Sequence, residues 1–413
     1  MLLAKIARSV ITKGRLTLID ARGRTHVVEG DEPGPEAALR FHDARAQRRV
    51  LINPQLAIGE AYMDGTLEPE GCDIADVLRL LTMNVANIRR SRWHALMDRW
   101  RFLTRRIAQH NPAARSKENV AHHYDLSGKI YDFFLDRERF YSCAYFPDGV
   151  SDLDEAQAAK ARHLAAKLQV GPGMRALDIG SGWGGMAIHL ASLGAERVDG
   201  VTLSEEQLAW SRRRAEAEGL DGRVVFKLQD YRALEGPYDR IVSVGMFEHV
   251  GVGHYREYFE TVRDLLTEDG VAVIHSIGRS GPPGFTNPWL AKYIFPGGYI
   301  PALSEVLPVV ERAGLVATDI EILRLHYAET LKAWRERFRA HRDEAEAIYD
   351  ERFRRMFDFY LAGSEMSFRE GGMMVFQLQL AKDQAAVPLT RDYIAGFEAD
   401  HPLHGPESVQ AAQ

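Results

Sequence analysis

The sequence has few cysteines, no long apolar run and no excess of positive charge. Only Cys72 and Cys143 occur among 413 residues, too few for a disulfide framework and typical of a reducing compartment. No stretch reaches the roughly 18 consecutive apolar residues of a membrane span, and the first apolar run is too short for a secretory signal. The 58 Asp and Glu outnumber the 52 Lys and Arg, which argues against a dedicated nucleic-acid binder. We predict a cytoplasmic protein without a nucleic-acid partner.

The chain is long and apolar enough for two or three globular domains, with 46% hydrophobic and 27% charged residues. Composition divides it into a small α+β N-terminal domain, a linker, a large second domain and a polar, loosely held tail, at residues 1–85, 86–117, 118–390 and 391–413. In the first domain we predict a hairpin of strands 15–20 and 25–28, a short strand at 49–53, and a helix capped by Asp73.

Residues 86–117 form a basic segment, with nine Lys or Arg residues and one acid, Asp98. Trp93, Leu96 and Trp100 recur at helical spacing, which predicts an amphipathic helix. Such a helix either lies on a membrane surface or packs its tryptophan stripe between domains.

From residue 118 onward, strand patterns alternate with helix patterns, which predicts a mostly parallel, doubly wound α/β sheet. Ligands of such sheets bind beyond the carboxyl ends of the strands. The predicted strands are 175–179, 197–203, 223–228, 239–245, 270–277, 316–325 and 373–381. The main predicted helices are 156–169, 205–218, 255–266 and 304–313.

A glycine-rich loop follows the first of these strands. Asp178 precedes Gly180, Gly182 and Gly184, and the spacing G-x-G-x-G differs from the G-x-G-x-x-G of dinucleotide sites. A carboxylate at this place suits an ammonium group better than a phosphate. The pattern matches the cofactor loop of class I S-adenosylmethionine-dependent methyltransferases, while a structural turn or a nucleotide site remains an alternative.

The next two strands also end in residues able to bind such a cofactor. Side chains that can hydrogen-bond ribose hydroxyls follow the second strand, in the run Thr202, Leu203, Ser204 and Gln207. Asp230 and Tyr231 follow the third, where a carboxylate and a ring can pair with and stack on adenine. Individually, Asp230 can equally cap a helix and Tyr231 can be a packing residue.

A second cluster comprises Glu248, His249 and His275, at the ends of the fourth and fifth strands. A carboxylate beside a histidine suggests proton handling, although a histidine near a strand is commonly a core residue. Upstream, aromatic residues crowd 122–126, 131–135 and 140–146, as in the wall of an apolar cavity or in an ordinary core. Cys143 there is a nucleophile, an ion ligand or a buried thiol. No metal-ligand spacing is present.

Seven ordered blocks resemble the cyclopropane-fatty-acyl-phospholipid synthases, at 141–145, 177–184, 201–204, 228–232, 240–251, 292–297 and 326–334. The resemblance covers nearly the whole chain. It implies a class I S-adenosylmethionine-dependent methyltransferase fold, Rossmann-like, with a seven-stranded, mostly parallel sheet and a small lipid-contacting N-terminal domain.

The resemblance also implies the reaction, in which a methylene group passes from S-adenosylmethionine to a cis double bond of a phospholipid acyl chain through a carbocation. A bound bicarbonate would act as the base, held by Cys143, Glu248, His275, the Ile277 backbone and Tyr327. Tyr141 and Ser142 would join the cofactor site. The expected partners are unsaturated phospholipids at the inner membrane face and a second copy of the chain.

Three points stay open in this resemblance. Related enzymes make methyl-branched or methylene-bearing chains from the same cation, and a methyltransferase of a soluble compound is a further alternative. Ser364 stands where relatives often have a cysteine regarded as catalytic, so an obligatory thiol at that position is doubtful. The loop 278–298, rich in Gly and Pro, is a candidate lid over the acyl site.

Overall fold

The computed structural model describes residues 2–85 and 128–403, and the predicted basic helix within 86–117 lies outside them. The described chain forms two compact units. The first contains residues 2–85, 284–298 and 327–373, and the second contains 128–283, 299–326 and 374–403. Two stretches predicted within the catalytic domain therefore group with the N-terminal residues instead.

The first unit is built on a four-stranded sheet, whose strands β1 to β4 are Lys13–Ile19, Thr25–Glu29, Glu32–Phe41 and Leu67–Pro69. Their order in the sheet is β2-β1-β3-β4. The predicted hairpin is confirmed, since β1 and β2 pair antiparallel, while β3 runs parallel to β1. The helices of this unit are Leu2–Val10, Ala44–Ile52, Pro54–Met63, Ile74–Met83, Pro288–Tyr293, Arg342–Ile348 and Glu351–Arg369, together with nearly all of His326–Ala340.

The strand predicted at 49–53 is wrong, because these residues belong to the helix Ala44–Ile52. Asp43 caps the helix by accepting a hydrogen bond from the backbone N–H of Arg45 at 3.0 Å. Ala46 and Val50 are its buried residues, and their spacing of four places both on one helical face. The three-residue apolar run Val50 to Ile52 suggested a strand, but the burial of this segment follows the helical period.

Residues distant in sequence meet in the first unit through a partly buried ionic cluster. Asp73 caps the helix Ile74–Met83 as predicted, and it also accepts a hydrogen bond from Arg339 Nη2 at 2.9 Å. The same guanidinium donates from Nε to Asp358 Oδ1 at 2.7 Å. One arginine therefore joins three helices, which explains why 327–373 belong to this unit.

Part of the loop proposed as a lid is a short helix, Pro288–Tyr293. Trp289 is buried, with its ring centroid 4.8 Å from that of Phe359. Lys292 Nζ and Tyr293 OH donate to Glu60 Oε1 at 2.7 and 2.9 Å. Residues 284–298 are thus anchored within the first unit.

The second unit contains the predicted seven-stranded sheet, whose strands β5 to β11 are Arg175–Ile179, Arg197–Thr202, Val224–Leu228, Tyr238–Val244, Leu266–Arg279, Val316–Leu323 and Met373–Ala381. Their order in the sheet is β10-β11-β9-β8-β5-β6-β7. The neighbours β9 and β8, β8 and β5, β5 and β6, and β6 and β7 pair parallel, whereas β10 and β11 pair antiparallel. All seven predicted strands are confirmed with shifts of a few residues at their ends.

Helices surround this sheet, and their apolar faces form two buried clusters against it. The predicted helices occur as Leu153–Leu168, Glu205–Ala217, Tyr255–Leu265 and Leu303–Arg312, and further helices are Gly128–Asp132 and Gly185–Ser192. Within residues 2–85 and 128–403, no helix combines the length and apolar character needed to cross a bilayer.

The prediction of a loosely held tail is wrong for residues 392–400, which form the helix Asp392–Asp400. Glu398 Oε1 lies 2.8 Å from Nδ1 of the buried His163. Arg162 donates to the backbone carbonyl of His401 at 3.1 Å. Polar composition suggested a mobile terminus, but these contacts fix the segment on the helix Leu153–Leu168.

Candidate functional site

The carboxyl ends of five parallel strands, β7, β6, β5, β8 and β9, carry most of the predicted site residues. Chain order reverses in the sheet between β5 and β8, and a doubly wound sheet binds its ligands at such a reversal. The cofactor candidates follow β5, β6 and β7, whereas the candidates for the reacting group follow β8 and β9.

The glycine loop after β5 leaves room for a close ligand at one position. Gly180, Gly182 and Gly184 all have positive φ angles, of 81°, 52° and 89°. A Cβ atom at Gly184 would lie 2.8 Å from both Phe226 and Ser211, whereas one at Gly182 would meet no described atom within 4 Å. Gly184 is therefore required for packing, while Gly182 faces open space.

Asp178 is a buried carboxylate with one oxygen available. Its Oδ2 has no hydrogen-bond partner among the described residues, and neither does the nearby Ser181 Oγ. Burial raises the pKa of Asp178 to about 7, opposed by the charge of Lys160 and the backbone N–H of Ala187. A carboxylate with one available oxygen, beside an open backbone turn, fits the ammonium end of an amino-acid moiety, as in S-adenosylmethionine.

The polar residues after β6 bond to one another. Thr202 Oγ1 donates to Gln207 Oε1 at 2.9 Å and accepts from the N–H of Ser204 at 3.2 Å. Ser204 caps the helix Glu205–Ala217 by accepting from the N–H of Gln207 at 3.3 Å. Leu203 lies between them, half-buried. Their assignment to a ribose stays a prediction.

The two residues after β7 have the local roles weighed as alternatives above. Asp230 caps the short 3₁₀ helix Tyr231–Ala233 and pairs with Arg232 through bonds of 2.9 and 2.6 Å. This pairing, against the opposing effect of burial, keeps the pKa of Asp230 below its usual value. Tyr231 packs edge-on against Tyr258, with ring centroids 5.4 Å apart. An adenine role for either residue stays a prediction.

The loop 140–143 brings three predicted site residues beside the helix Leu153–Leu168. Tyr141 packs against Tyr131 and Phe134, with centroid distances of 5.8 and 5.7 Å. Ser142 Oγ accepts a hydrogen bond from Lys160 Nζ at 3.0 Å. Cys143 is buried and its thiol donates to the carbonyl of Ala144 at 3.2 Å.

Glu248 and Ile277 meet directly, as the ligand set implies. Glu248 Oε1 accepts a hydrogen bond from the Ile277 backbone N–H at 2.6 Å. Its other oxygen, Oε2, has no hydrogen-bond partner among the described residues. Burial raises the pKa of Glu248 to about 7, although the Ile277 N–H opposes this shift. Glu248 thus has one anchored oxygen and one available oxygen.

His275 is a buried neutral imidazole whose tautomer is set by Gln377. Burial, reinforced by nearby lysines, lowers the pKa of His275 well below its usual value. Gln377 Nε2 lies 3.1 Å from His275 Nδ1, so Nδ1 acts as the acceptor and Nε2 carries the proton. Nε2 has no partner among the described residues, which leaves an N–H available to an acceptor.

Sequence reasoning missed Lys160 and Gln377, although both left a signal. Gln377 is one of two buried glutamines, with Gln379, in the strand Met373–Ala381, whose other residues are apolar. Lys160 lies in an alanine-rich helix, directly between Ala159 and Ala161, and this composition is typical of a buried helix. A polar residue in a fully buried element needs a partner, and here the partners are site residues.

Tyr327 and Ser364 belong to the first unit. Tyr327 is buried near the start of the helix His326–Ala340, 4.8 Å from the ring of Phe368 and 5.7 Å from that of Trp334. Ser364 is half-buried in the helix Glu351–Arg369. The role implied for Tyr327 stays a prediction.

Several known proteins are similar to this chain in sequence or in structure. The pattern of the mycolic acid cyclopropane synthetase family matches residues 111–378, and a domain of unknown function matches 16–91. The Escherichia coli cyclopropane-fatty-acyl-phospholipid synthase is 38% identical, over 86% of this chain and 90% of its own length. The Mycobacterium tuberculosis tuberculostearic acid methyltransferase UfaA1 is 35% identical, over 92% and 90%.

Among solved structures, the mycolic acid cyclopropane synthase CmaA1, in complex with S-adenosylhomocysteine and CTAB, aligns with a TM-score of 0.61 and 32% identity. The alignment covers 65% of this chain and 98% of that one. Fold and relatives together define an S-adenosylmethionine-dependent methyltransferase. This chain belongs to the mycolic acid cyclopropane synthetase family, and the predicted family and fold class are confirmed.

Proposed function

We propose that the protein transfers a one-carbon unit from S-adenosylmethionine to the cis double bond of unsaturated phospholipid acyl chains and forms cyclopropane fatty acids. The observation that carries the proposal is the 38% identity to the cyclopropane-fatty-acyl-phospholipid synthase over nearly the whole of both chains. The buried, incompletely bonded Glu248 and His275 support it, because they provide available polar atoms for the chemistry.

The available atoms of the site fit a small ion that both donates and accepts hydrogen bonds. Glu248 Oε2 can accept, and the His275 Nε2–H can donate. Bicarbonate has a hydroxyl and acceptor oxygens, so these residues would hold it, together with Cys143 of the ligand set that the resemblance implies. Bound there, bicarbonate would supply a base, and S-adenosylmethionine would supply an electrophilic methyl group and leave a cationic acyl chain.

The chain's own residues would favour that cation and shield it from water. Ionised Glu248 places a negative charge in a buried environment, where electrostatic interactions are stronger than in water. Asp178, with its free oxygen, would orient the cofactor through the ammonium group. The aromatic faces of Tyr131, Phe134 and Tyr141 form an apolar wall beside loop 140–143.

The proposed activity is tested by incubating the protein with unsaturated phospholipid vesicles and methyl-labelled S-adenosylmethionine. We expect label in the lipid, and mass spectrometry after ring-opening chemistry separates a cyclopropane from a methyl branch or a methylene chain. A methyl-branched product would agree with the family assignment but overturn the proposed formation of a cyclopropane ring. This outcome is a real alternative, because the relative UfaA1 is named a methyltransferase and not a cyclopropane synthase. Label transferred only to a soluble amine or hydroxyl compound would overturn the lipid substrate.

We also propose that the protein works in the cytoplasm at the inner membrane face. The basic composition of residues 86–117 supports membrane contact. The helix Leu2–Val10 adds exposed Leu2 and Ile6 beside Lys5 and Arg8. Cationic residues with apolar neighbours suit the boundary of an anionic bilayer.

Charge reversal of Arg99, Arg101, Arg105 and Arg106 to glutamate is expected to weaken binding to anionic vesicles by about 1 kcal/mol per charge. Vesicle co-sedimentation at low and high salt measures the loss, which salt should diminish. The matched control reverses the exposed Arg212, Arg213, Arg342 and Arg352, which lie outside the segment. If both variants lose vesicle binding equally, or if the first variant loses none, the segment does not contact the membrane and the interdomain alternative is favoured.

A further inference from the structure

Gln377 is a buried glutamine on β11, the strand beside β9, and its side chain contacts a residue of the candidate site. Its Nε2 donates to His275 Nδ1 at 3.1 Å, while its Oε1 has no hydrogen-bond partner among the described residues. A buried amide oxygen without a partner is unfavourable, because it has lost its hydrogen bonds to water. Packing alone therefore does not explain a glutamine here, and Val375, two residues earlier on the same face, is apolar.

Gln379 lies two residues further along the same face of β11 and has a different set of contacts. Its Nε2 donates to the backbone carbonyl of Lys167 at 2.6 Å and to Tyr393 OH at 2.7 Å. Its Oε1 accepts a hydrogen bond from Thr318 Oγ1 at 2.9 Å. Both ends of this amide are bonded to residues outside the candidate site, so Gln379 stabilises the fold. Gln377 instead directs its hydrogen bond to a site residue.

The carboxylate that lies opposite Gln377 is bonded to other residues. Glu321 of β10 stands directly across from Gln377 in the antiparallel register, so the two side chains share a face of the sheet. The Glu321 carboxylate lies 2.7 Å from His163 Nε2 and also accepts a hydrogen bond from Lys167 Nζ. His275 is neutral, because burial lowers its pKa well below the usual value. The amide of Gln377 therefore determines which ring nitrogen of His275 carries the proton.

This hydrogen bond restricts what His275 can do in a reaction. An amide N–H can only donate, so the Nδ1 lone pair accepts it and the ring proton stays on Nε2. Neither nitrogen then offers a free lone pair to a substrate. The Nε2–H has no partner among the described residues and remains a donor with a fixed orientation. A donor that is already in place stabilises negative charge in a buried site without reorganisation.

We propose that Gln377 is a positioning residue, which holds His275 as a hydrogen-bond donor toward the reacting group and prevents it from acting as the base. This role in the reaction rests on the proposed function. There, the proton that the cationic acyl chain loses would pass to a base other than His275, and the Nε2–H would interact with the negative charge of that base. Gln377 then serves the reaction, whereas Gln379 serves the stability of the fold.

Nitrogen NMR of the full-length protein with isotope-labelled histidine tests the proposal, because the chemical shifts of a neutral imidazole show which nitrogen carries the proton. The signals of His275 are those missing from the spectrum of His275→Asn. In the wild type near neutral pH, we expect the proton on Nε2. In Gln377→Met, which has a side chain of similar length and no amide, both tautomers should be populated. A wild-type ring with its proton on Nδ1, or an unchanged tautomer in Gln377→Met, would overturn the proposal.

Gln379→Met is the matched control, because it introduces the same side chain on the same face of the same strand. It leaves the partners of Gln379 without their hydrogen bonds, so its midpoint of denaturant unfolding should fall below that of the wild type. The His275 signals should stay unchanged. In Gln377→Met the midpoint should remain close to that of the wild type, because the substitution exchanges one unpaired buried atom, Gln377 Oε1, for another, His275 Nδ1.

Turnover at saturating cofactor should fall about tenfold or more in Gln377→Met, as when the group that orients a metal-binding histidine is lost. Affinity for S-adenosylhomocysteine should stay near that of the wild type, since the cofactor candidates follow other strands. In Gln379→Met, turnover per folded molecule should be unchanged. A Gln377→Met protein in which both tautomers are populated but turnover is intact would overturn the role in the reaction.

The NMR measurement and the lipid assay fail independently. If the wild type labels no lipid while Gln377→Met still changes the tautomer of His275, the lipid substrate is wrong and the control of His275 by Gln377 stands. If the wild type labels the lipid and Gln377→Met retains the wild-type tautomer, only the role of Gln377 fails. Should Gln377→Met not fold, Gln377→Asn replaces it, because its amide is one methylene too short to reach Nδ1 and predicts the same mixture of tautomers.

Discussion

Glu248→Gln is expected to lower turnover at saturating cofactor by roughly 10²- to 10³-fold, the usual cost of losing one electrostatic contributor to a transition state. Glutamine has nearly the size of glutamate and retains an oxygen to accept the Ile277 N–H, now 2.6 Å from Glu248 Oε1. The substitution therefore removes mainly the negative charge. Affinity for S-adenosylhomocysteine should change little, because the cofactor candidates follow other strands.

The pH dependence of turnover gives a second readout of the same change. Burial raises the pKa of Glu248 to about 7, so wild-type turnover should rise with pH through that value as the carboxylate ionises. At saturating cofactor, the protonation of Asp178 should not contribute to the pH dependence of turnover, because the cofactor site stays occupied. The rising limb should be absent in Glu248→Gln, and a limb that persists would assign it to another group.

A matched control for Glu248→Gln is Asp199→Asn, which changes another buried carboxylate of the second unit. Asp199 lies on β6 and accepts a hydrogen bond from Tyr238 OH at 2.8 Å. Its loss should reduce stability while turnover per folded molecule stays near that of the wild type. Equal turnover losses in both variants would show that burial of any carboxylate, rather than Glu248 in particular, determines the effect.

The sheet of the second unit was predictable because each strand has a strong local signal. Short strands such as Arg175–Ile179, in which Ala176, Leu177 and Ile179 are apolar, are bounded by turn residues and separated by helices. The helix Ala44–Ile52 was not predictable, because its apolar residues form a short run and because an acidic residue such as the capping Asp43 is equally common in loops. Local patterns identify elements when capping and periodicity agree, and here they conflicted.

Which residues belong to each unit could not be predicted from local sequence patterns. Arg339 and Asp73 are 266 residues apart, yet they share a hydrogen bond. Nothing near either residue in sequence indicates the other. Composition divides a chain into contiguous segments, whereas packing placed 284–298 and 327–373 with the N-terminal residues.

Site residues that belong to a motif at the end of a strand could be predicted from the sequence. Single residues that support those motif residues from elsewhere in the fold could not. Asp178 and the glycines form a recognisable spacing, and Glu248 does contact Ile277. Gln377 and Lys160 lie inside elements, so no motif includes them. Only the fold shows that their polar atoms reach His275 and Ser142.

Alanine substitution at Gly182 and Gly184 should separate cofactor binding from folding. A Cβ at Gly182 meets no described atom within 4 Å, and the φ angle of 52° lies where alanine is disfavoured by about 1 kcal/mol. We expect Gly182→Ala to lose that much stability and, because the methyl group would occupy the space of the cofactor, at least about tenfold in affinity for S-adenosylhomocysteine.

Gly184→Ala should show the opposite balance. Its Cβ would lie 2.8 Å from Phe226 and Ser211, so overpacking of about 1–3 kcal/mol adds to the cost of the positive φ angle. Denaturant unfolding of both variants measures the stabilities, and calorimetry measures the affinities of the folded proteins. Gly182→Ala that binds S-adenosylhomocysteine as tightly as the wild type would place the cofactor elsewhere than against this turn, since the open space beside Gly182 would then serve no ligand.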